Sequence, residues 1–197
     1  MSASKLRARE LITIAIFSVI FYLVMRAGAL IGMIPPTFPY TSAVQLTVCG
    51  IVWVYLRTKV PKAFAVTLQC ALLALVTFVG GTAWYLALSM FAGGLAAELV
   101  LAIGRYGRGW KLQAAAYAAF GLCFNFGCFG VMLLARDYYR EFVLAAGMDP
   151  EYVERVLAVV SWKTFAVSSV LSIIGATAGT LLGRLLFKKH FAKVGMI

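Results

Sequence analysis

Acidic side chains and histidine are what this chain has least of: seven Asp and Glu and one His among 197 residues. A lone His190 has no second member with which to build a histidine metal site or a Ser–His pair. The acids are too few for a membrane protease or a two-metal centre. No glycine-rich phosphate loop with its lysine is present, so ATP hydrolysis by that route is excluded. Cys49, Cys70, Cys123 and Cys128 stand singly inside apolar runs without CxxC spacing, which argues against a disulfide framework or zinc site and makes them packing residues. Charge of either sign is also scarce, at 13% of residues against about 25% in a soluble domain. These absences predict a chain that is not an enzyme and binds no metal or cofactor of its own.

Apolar sequence fills the space: 63% of residues are hydrophobic and the mean hydropathy is +0.93. A spanning helix takes about 20 mostly apolar residues, so this length holds at most about six or seven crossings and no separate soluble domain. The prediction is one all-α membrane domain over 1–197, with six transmembrane helices at about 11–33, 42–57, 62–79, 83–103, 112–135 and 163–187. The first run follows Lys5, Arg7 and Arg9 and continues to about Ile34 with no small-residue cleavage pattern, so it reads as a retained span. Pro35-Pro36 stops it, because proline lacks the amide donor and fixes φ. Ser42 reads as the N-cap of the second span, Gly80-Gly81 ends the third, and the basic, glycine-rich stretch 104–109 ends the fourth. The one long connection, 136–162, opens with RDYYREF and then carries Asp149-Pro150-Glu151, a helix-start pattern of cap, N1 proline and first-turn acid. A short amphipathic helix at about 150–160 is expected there, lying at the membrane surface.

The net charge of +11 matters less than where the cations fall. With the N-terminus inside, Lys5, Arg7, Arg9, Arg57, Lys59, Lys62, Arg105, Arg108, Lys111, Arg184, Lys188, Lys189 and Lys193 all lie on the cytoplasmic side, thirteen of eighteen. The other side receives Arg26, Arg136, Arg140, Arg155 and Lys163 together with five of the seven acids. An even number of spans with both termini cytoplasmic satisfies the positive-inside rule, and nucleic acid is not needed as a partner. The expected surroundings are the lipid bilayer of a prokaryotic cell membrane.

Lipid gives helices no hydrophobic reason to associate, so small residues must let them approach. Gly175, Gly179 and Gly183 make such a face on the last span, continued by Ser168 and Ser172, and the last three spans are expected to pack tightly. Polar groups at membrane depth are costly and therefore informative. Glu98 reads as a partner for Arg105 or a neighbouring loop arginine, and Arg26 as a side chain that snorkels to the interface. Asn125 reads either as a ligand group or as a helix-to-helix hydrogen bond. Aromatic residues gather on the side away from the basic loops. Any one of them fits an interfacial belt, but the asymmetry predicts a pocket there lined by Trp84, Tyr85, Tyr40, Tyr138 and Tyr139, with Arg136, Asp137 and Asn125 as polar anchors.

Five stretches carry a family resemblance in order along the chain: KLRARELITIAIFSVIF at the start, GGTAWY, GLAAELVLAIGR, RDYYRE, and GATAGTLLGRLLFKKHFAKVGMI at the end. With them the sequence resembles the substrate-binding S components of energy-coupling factor (ECF) transporters, in the Trep_Strep or MptD-like branch. The resemblance implies capture of a small micronutrient, such as a vitamin, its precursor or a larger cofactor, from outside. It also implies toppling in the membrane against a transmembrane coupling subunit driven by two ATPase subunits, which use the ATP. The docking face implied on the first span is Ala15, Ser18 and Val19, where Val19 replaces the second alanine of an Ala-x-x-x-Ala pattern. A stand-alone permease, an assembly factor or a membrane enzyme are the competing classes.

Overall fold

The computed structural model of the chain describes residues 6–192, with side chains through Phe187. Lys5, Lys193 and the side chains of Lys188 and Lys189, placed above on the cytoplasmic side, lie outside the described residues, as does the side chain of His190. Among the described residues eight α-helices run in order: α1 (Ala8–Ala29), α2 (Thr41–Lys59), α3 (Ala65–Val79), α4 (Trp84–Ile103), α5 (Trp110–Leu134), α6 (Arg136–Ala145), α7 (Pro150–Val159) and α8 (Trp162–Ala192). Two 3-10 turns, Leu30–Met33 and Pro35–Tyr40, join α1 to α2. Among the described residues five segments are long and apolar enough to cross a membrane: Ala8–Met33, Pro35–Lys59, Trp84–Ile103, Trp110–Leu134 and Trp162–Phe187. With exposed Leu, Ile, Val and Phe along their outer faces, the chain is embedded in a membrane and crosses it several times.

The third expected span is the short one. α3 has 15 residues, about 22 Å of helix at 1.5 Å per residue. It nevertheless runs between the two ends of the bundle, from Phe64 beside Glu98 to Thr77 and Gly81 beneath α6. Its first turn begins where Phe64 adopts a left-handed conformation (φ 64°), and Gly81 (φ 78°) makes the turn into α4 that a side chain would strain.

The six long helices close into a ring, α1–α3–α4–α5–α8–α2, with α2 also touching α5 across the middle. The glycines of the α8 seam face α2, while Ser168 in its continuation bonds to Asn125 of α5. A β-carbon on Gly179 would lie 2.5 Å from the Thr47 carbonyl oxygen, and one on Gly175 would lie 2.4 Å from that of Ala43. The reciprocal glycine on α2, Gly50, meets Gly179 in the same way. Small residues therefore let these two backbones touch, as dispersion-driven packing in lipid requires. α4 and α8 lie on opposite flanks of α5.

The centre is aromatic. Tyr117, Phe120 and Phe124 stack along one face of α5 at the i, i+3, i+7 spacing of a helix, and Trp53 of α2 lies against Tyr117 at 4.7 Å between ring centres. Cys49 and Cys70 are buried in this core with free thiols.

The long connection holds two helices where one was expected. RDYYREF is itself the start of α6, whose apolar residues Tyr139 and Val143 face inward. α7 begins as its sequence dictates, with the Asp149 carboxylate accepting the Tyr152 amide at 2.8 Å and Pro150 in the first turn. The two are clamped by Arg140, whose Nε donates to Glu154 at 2.6 Å, and by Arg136, whose Nη2 donates to the Leu157 carbonyl at 2.8 Å. Ser42, expected to cap α2, lies inside it; the helix starts one residue earlier and the Ser42 hydroxyl is used elsewhere.

Candidate functional site

The bundle has two unlike ends. At one, the basic end, the α2–α3 and α4–α5 connections bring together Arg57, Lys62, Arg105 and Arg108. At the other, α6 and α7 lie across the helix ends and roof a cavity of about 470 Å³. Every long helix but α8 sends residues to it: Met25 and Arg26 from α1, Thr41 and Gln45 from α2, Thr77 from α3, Tyr85 from α4, Phe124 and Cys128 from α5. The roof supplies Tyr139, Phe142 and Val143 from α6 and Tyr152 from α7.

The walls are mostly apolar, and their few polar atoms converge. Tyr85, Tyr139 and Tyr152 are electrostatic neighbours around Cys128. Burial raises the Tyr139 and Tyr152 phenols above their ordinary value, so both remain protonated hydrogen-bond donors at neutral pH. The Tyr152 hydroxyl donates to the Gly32 carbonyl at 2.6 Å, which ties the roof to the α1–α2 connection. Gln45 is anchored through its Nε2, donating to the Met25 carbonyl at 2.8 Å. Thr41 differs: its hydroxyl is buried with no hydrogen-bond partner among the described residues. A buried hydroxyl left unpaired costs about 1–3 kcal/mol, which a ligand seated against it would recover. Arg26 is the one charged residue among those lining the cavity.

The residues singled out from the sequence are distributed unevenly about this cavity. Tyr85 and Tyr139 line it. Trp84 lies outside, where its Nε1 donates to the Tyr138 hydroxyl at 2.8 Å and ties α4 to α6. Arg136 is bonded to α7, Asp137 is an exposed first-turn acid of α6, and Tyr40 is exposed at the start of α2. Asn125 is fully buried in a clasp between helices. Its Oδ1 accepts from Ser42 at 2.7 Å and Ser168 at 2.6 Å, its Nδ2 donates to Ser169 at 3.1 Å, and Ser172 joins through Ser42 at 3.0 Å. On α1, Ala15 and Val19 are exposed, while Ser18 is buried and donates to the Ile14 carbonyl at 2.8 Å.

Most of the cavity lining escaped the sequence reading, including its polar residues Thr41, Gln45 and Arg26. Thr41 and Gln45 stand four apart on one face of α2, a spacing that marks a shared helix face. That signal is easily lost beside the prolines before it. Arg26, read as snorkelling, is exposed and also borders the cavity. Glu98 also has other partners than the arginine expected. Its carboxylate accepts the Phe64 amide at 2.7 Å and the Thr67 amide and hydroxyl at 3.1 Å each, capping the N-terminus of α3 from the neighbouring helix.

No curated protein and no solved structure matches the chain. A family model described as a hypothetical bacterial integral membrane protein, Trep_Strep, matches residues 8–193, which takes in every helix from α1 to α8. The chain therefore belongs to the Trep_Strep family of bacterial integral membrane proteins.

Proposed function

We propose that this chain is the substrate-capturing S component of an energy-coupling factor importer. In this reading it crosses the cytoplasmic membrane six times, with both termini in the cytoplasm and the roofed cavity facing out. The observation that carries the proposal is the cavity itself. It lies at the end opposite the basic loops, is covered by a two-helix lid, and keeps an unsatisfied buried hydroxyl at Thr41. Its volume of about 470 Å³ falls in the roughly 300–1,000 Å³ range of small-molecule sites. Positive-inside counting supports the orientation, and the end-to-end course of α3 supports a sixth crossing.

The substrate class that fits is a neutral or anionic ring compound. Phe124, Phe142 and the tyrosines supply apolar faces, Thr41 and the phenols supply directed hydrogen bonds, and Arg26 supplies the single charge. The exposed α1 face around Ala15 and Val19, with Leu11, Ile12 and Ile16, is the docking surface for a coupling subunit. Two ATPase subunits beneath it would consume the ATP, and the chain itself performs no chemistry. Ser18, turned into the bundle, can support that face only through helix packing.

Native mass spectrometry of the purified chain tests the reading directly. A co-purifying small molecule is expected, retained by the wild type and lost from a Thr41→Val/Tyr139→Phe double variant that stays folded. Equal retention by both proteins, or no retained molecule from cells grown in rich medium, would remove the capture role.

A further inference from the structure

The basic end holds a second cavity, of about 340 Å³, between α2, α5 and α8. Its chemistry is opposite to that of the roofed one. Arg57, Arg108 and Arg184 border it together with Gln113, Thr58 and Trp110. Arginines at a membrane boundary ordinarily snorkel into water. Arg57 does not, being only 4% exposed. Its hydrogen bonds are long and go to neutral oxygens: Nε to Gln113 at 3.3 Å, and Nη1 to the carbonyls of Val60 at 3.4 Å and Lys62 at 3.3 Å. Its Nη2 is buried with no partner among the described residues.

A buried guanidinium without a close counter-charge is expensive, and the one carboxylate that acts on Arg57, Glu98, forms no salt bridge with it. Glu98 acts on Arg57 electrostatically, but its oxygens are committed to Phe64 and Thr67. Arg108 adds a like charge that repels Arg57, and Arg184 lies over the Trp110 ring at 5.9 Å. Among the described residues none of the three arginines forms a salt bridge. Three cations converge on a cavity with one buried donor group unmet among the described residues, a lining suited to an anion.

We propose that this cavity binds a phosphate-class anion, with Arg57 as the buried anchor and Arg108 and Arg184 closing on it from the rim. The planar guanidinium fork matches phosphate oxygens in pairs, and a charge-assisted bond from each arginine suits a group that carries several acceptor oxygens. The position, at the end of α2, the start of α5 and the last apolar turns of α8, is at the boundary of the apolar segments, the level at which a phospholipid headgroup would lie. The same chemistry also admits free phosphate from solution. The proposal does not depend on the transport reading, because it concerns the opposite end of the bundle and holds for either orientation.

The test uses the full chain in phosphatidylcholine nanodiscs, with thermal stability and native mass spectra as readouts. One arm adds phosphatidylglycerol to the disc; the other titrates inorganic phosphate against chloride at constant ionic strength. Stabilisation with a retained adduct in the first arm alone identifies a lipid headgroup, and stabilisation by phosphate identifies a site open to soluble anions. The double variant R108Q/R184Q, which leaves the buried Arg57 in place, should weaken the effect at least about tenfold. A matched variant, R105Q/K111Q, removes the same charge at the same end outside the cavity and should behave as wild type. No stabilisation in either arm would overturn the site. Equal losses in the two double variants would also overturn it, by reducing the effect to surface attraction.

Discussion

Thr41 and Ser42 are neighbours on α2, yet their hydroxyls are in opposite situations. Ser42 is the hub of a satisfied network that joins α2, α5 and α8 through Asn125, Ser168 and Ser172. Thr41, rotated by one residue, faces the roofed cavity and is left without a partner. Polar groups at membrane depth are costly in either place. Where they satisfy one another they hold helices together, and where they face a cavity they are available to a ligand. Glu98 belongs with the first kind and the phenols of Tyr85 and Tyr139 with the second. Removing a member of the clasp should therefore cost stability, and removing a member of the cavity should cost binding.

The largest effect is expected from Glu98→Ala, which uncaps α3 and strands the Phe64 and Thr67 amides. A loss of about 3 kcal/mol in detergent unfolding would follow from a buried, charge-assisted set. A change too small to measure would mean that α3 needs no cap from α4. Asn125→Ala should come next, at about 2 kcal/mol, since it leaves serine hydroxyls on α2 and α8 to find new partners. Ligand retention per folded molecule should stay the same, and its disappearance would move Asn125 from the clasp to the site. For Thr41→Val the comparison predicts the reverse. Stability should hold or rise by up to about 1 kcal/mol because an unpaired hydroxyl is gone, while affinity for the co-purifying ligand falls about tenfold.

Smaller effects belong to the lid. Tyr152→Phe removes its bond to Gly32, worth about 1 kcal/mol, and should speed ligand loss roughly fivefold with little change in melting temperature. Arg140→Gln breaks an ion pair between two half-exposed side chains and should cost less than about 0.5 kcal/mol. A strong effect there would show that the α6–α7 clamp governs access to the cavity.

Much of this architecture is legible from the chain. Long apolar runs separated by cations mark helices in lipid, because a backbone without water must bond to itself. Asp149-Pro150 marks the start of α7 for an equally local reason, a side chain reaching an amide three residues on. α6 was missed because its ten residues are too polar to read as a span and carry no proline or cap to announce a helix. The cavity was legible only in outline. The aromatic bias pointed toward the end where the roofed cavity lies, but of eight residues proposed only Tyr85 and Tyr139 line it. Trp84 and Tyr138 bond to each other instead, and Asn125 bonds to serines whose nearness in space is set by the α2–α8 crossing.

Composition and charge position by themselves determined that this protein lives in a membrane as several apolar helices and that its long connection is structured. Those properties depend on solvent and on neighbours a few residues away. Which helices touch, that the Gly175–Gly183 face lies on α2, that Glu98 serves an amide and not an arginine, and that Thr41 is left facing a void were decided only in three dimensions. Each depends on the close approach of residues 30 to 130 positions apart, and such an approach is set by the packing of whole helix faces.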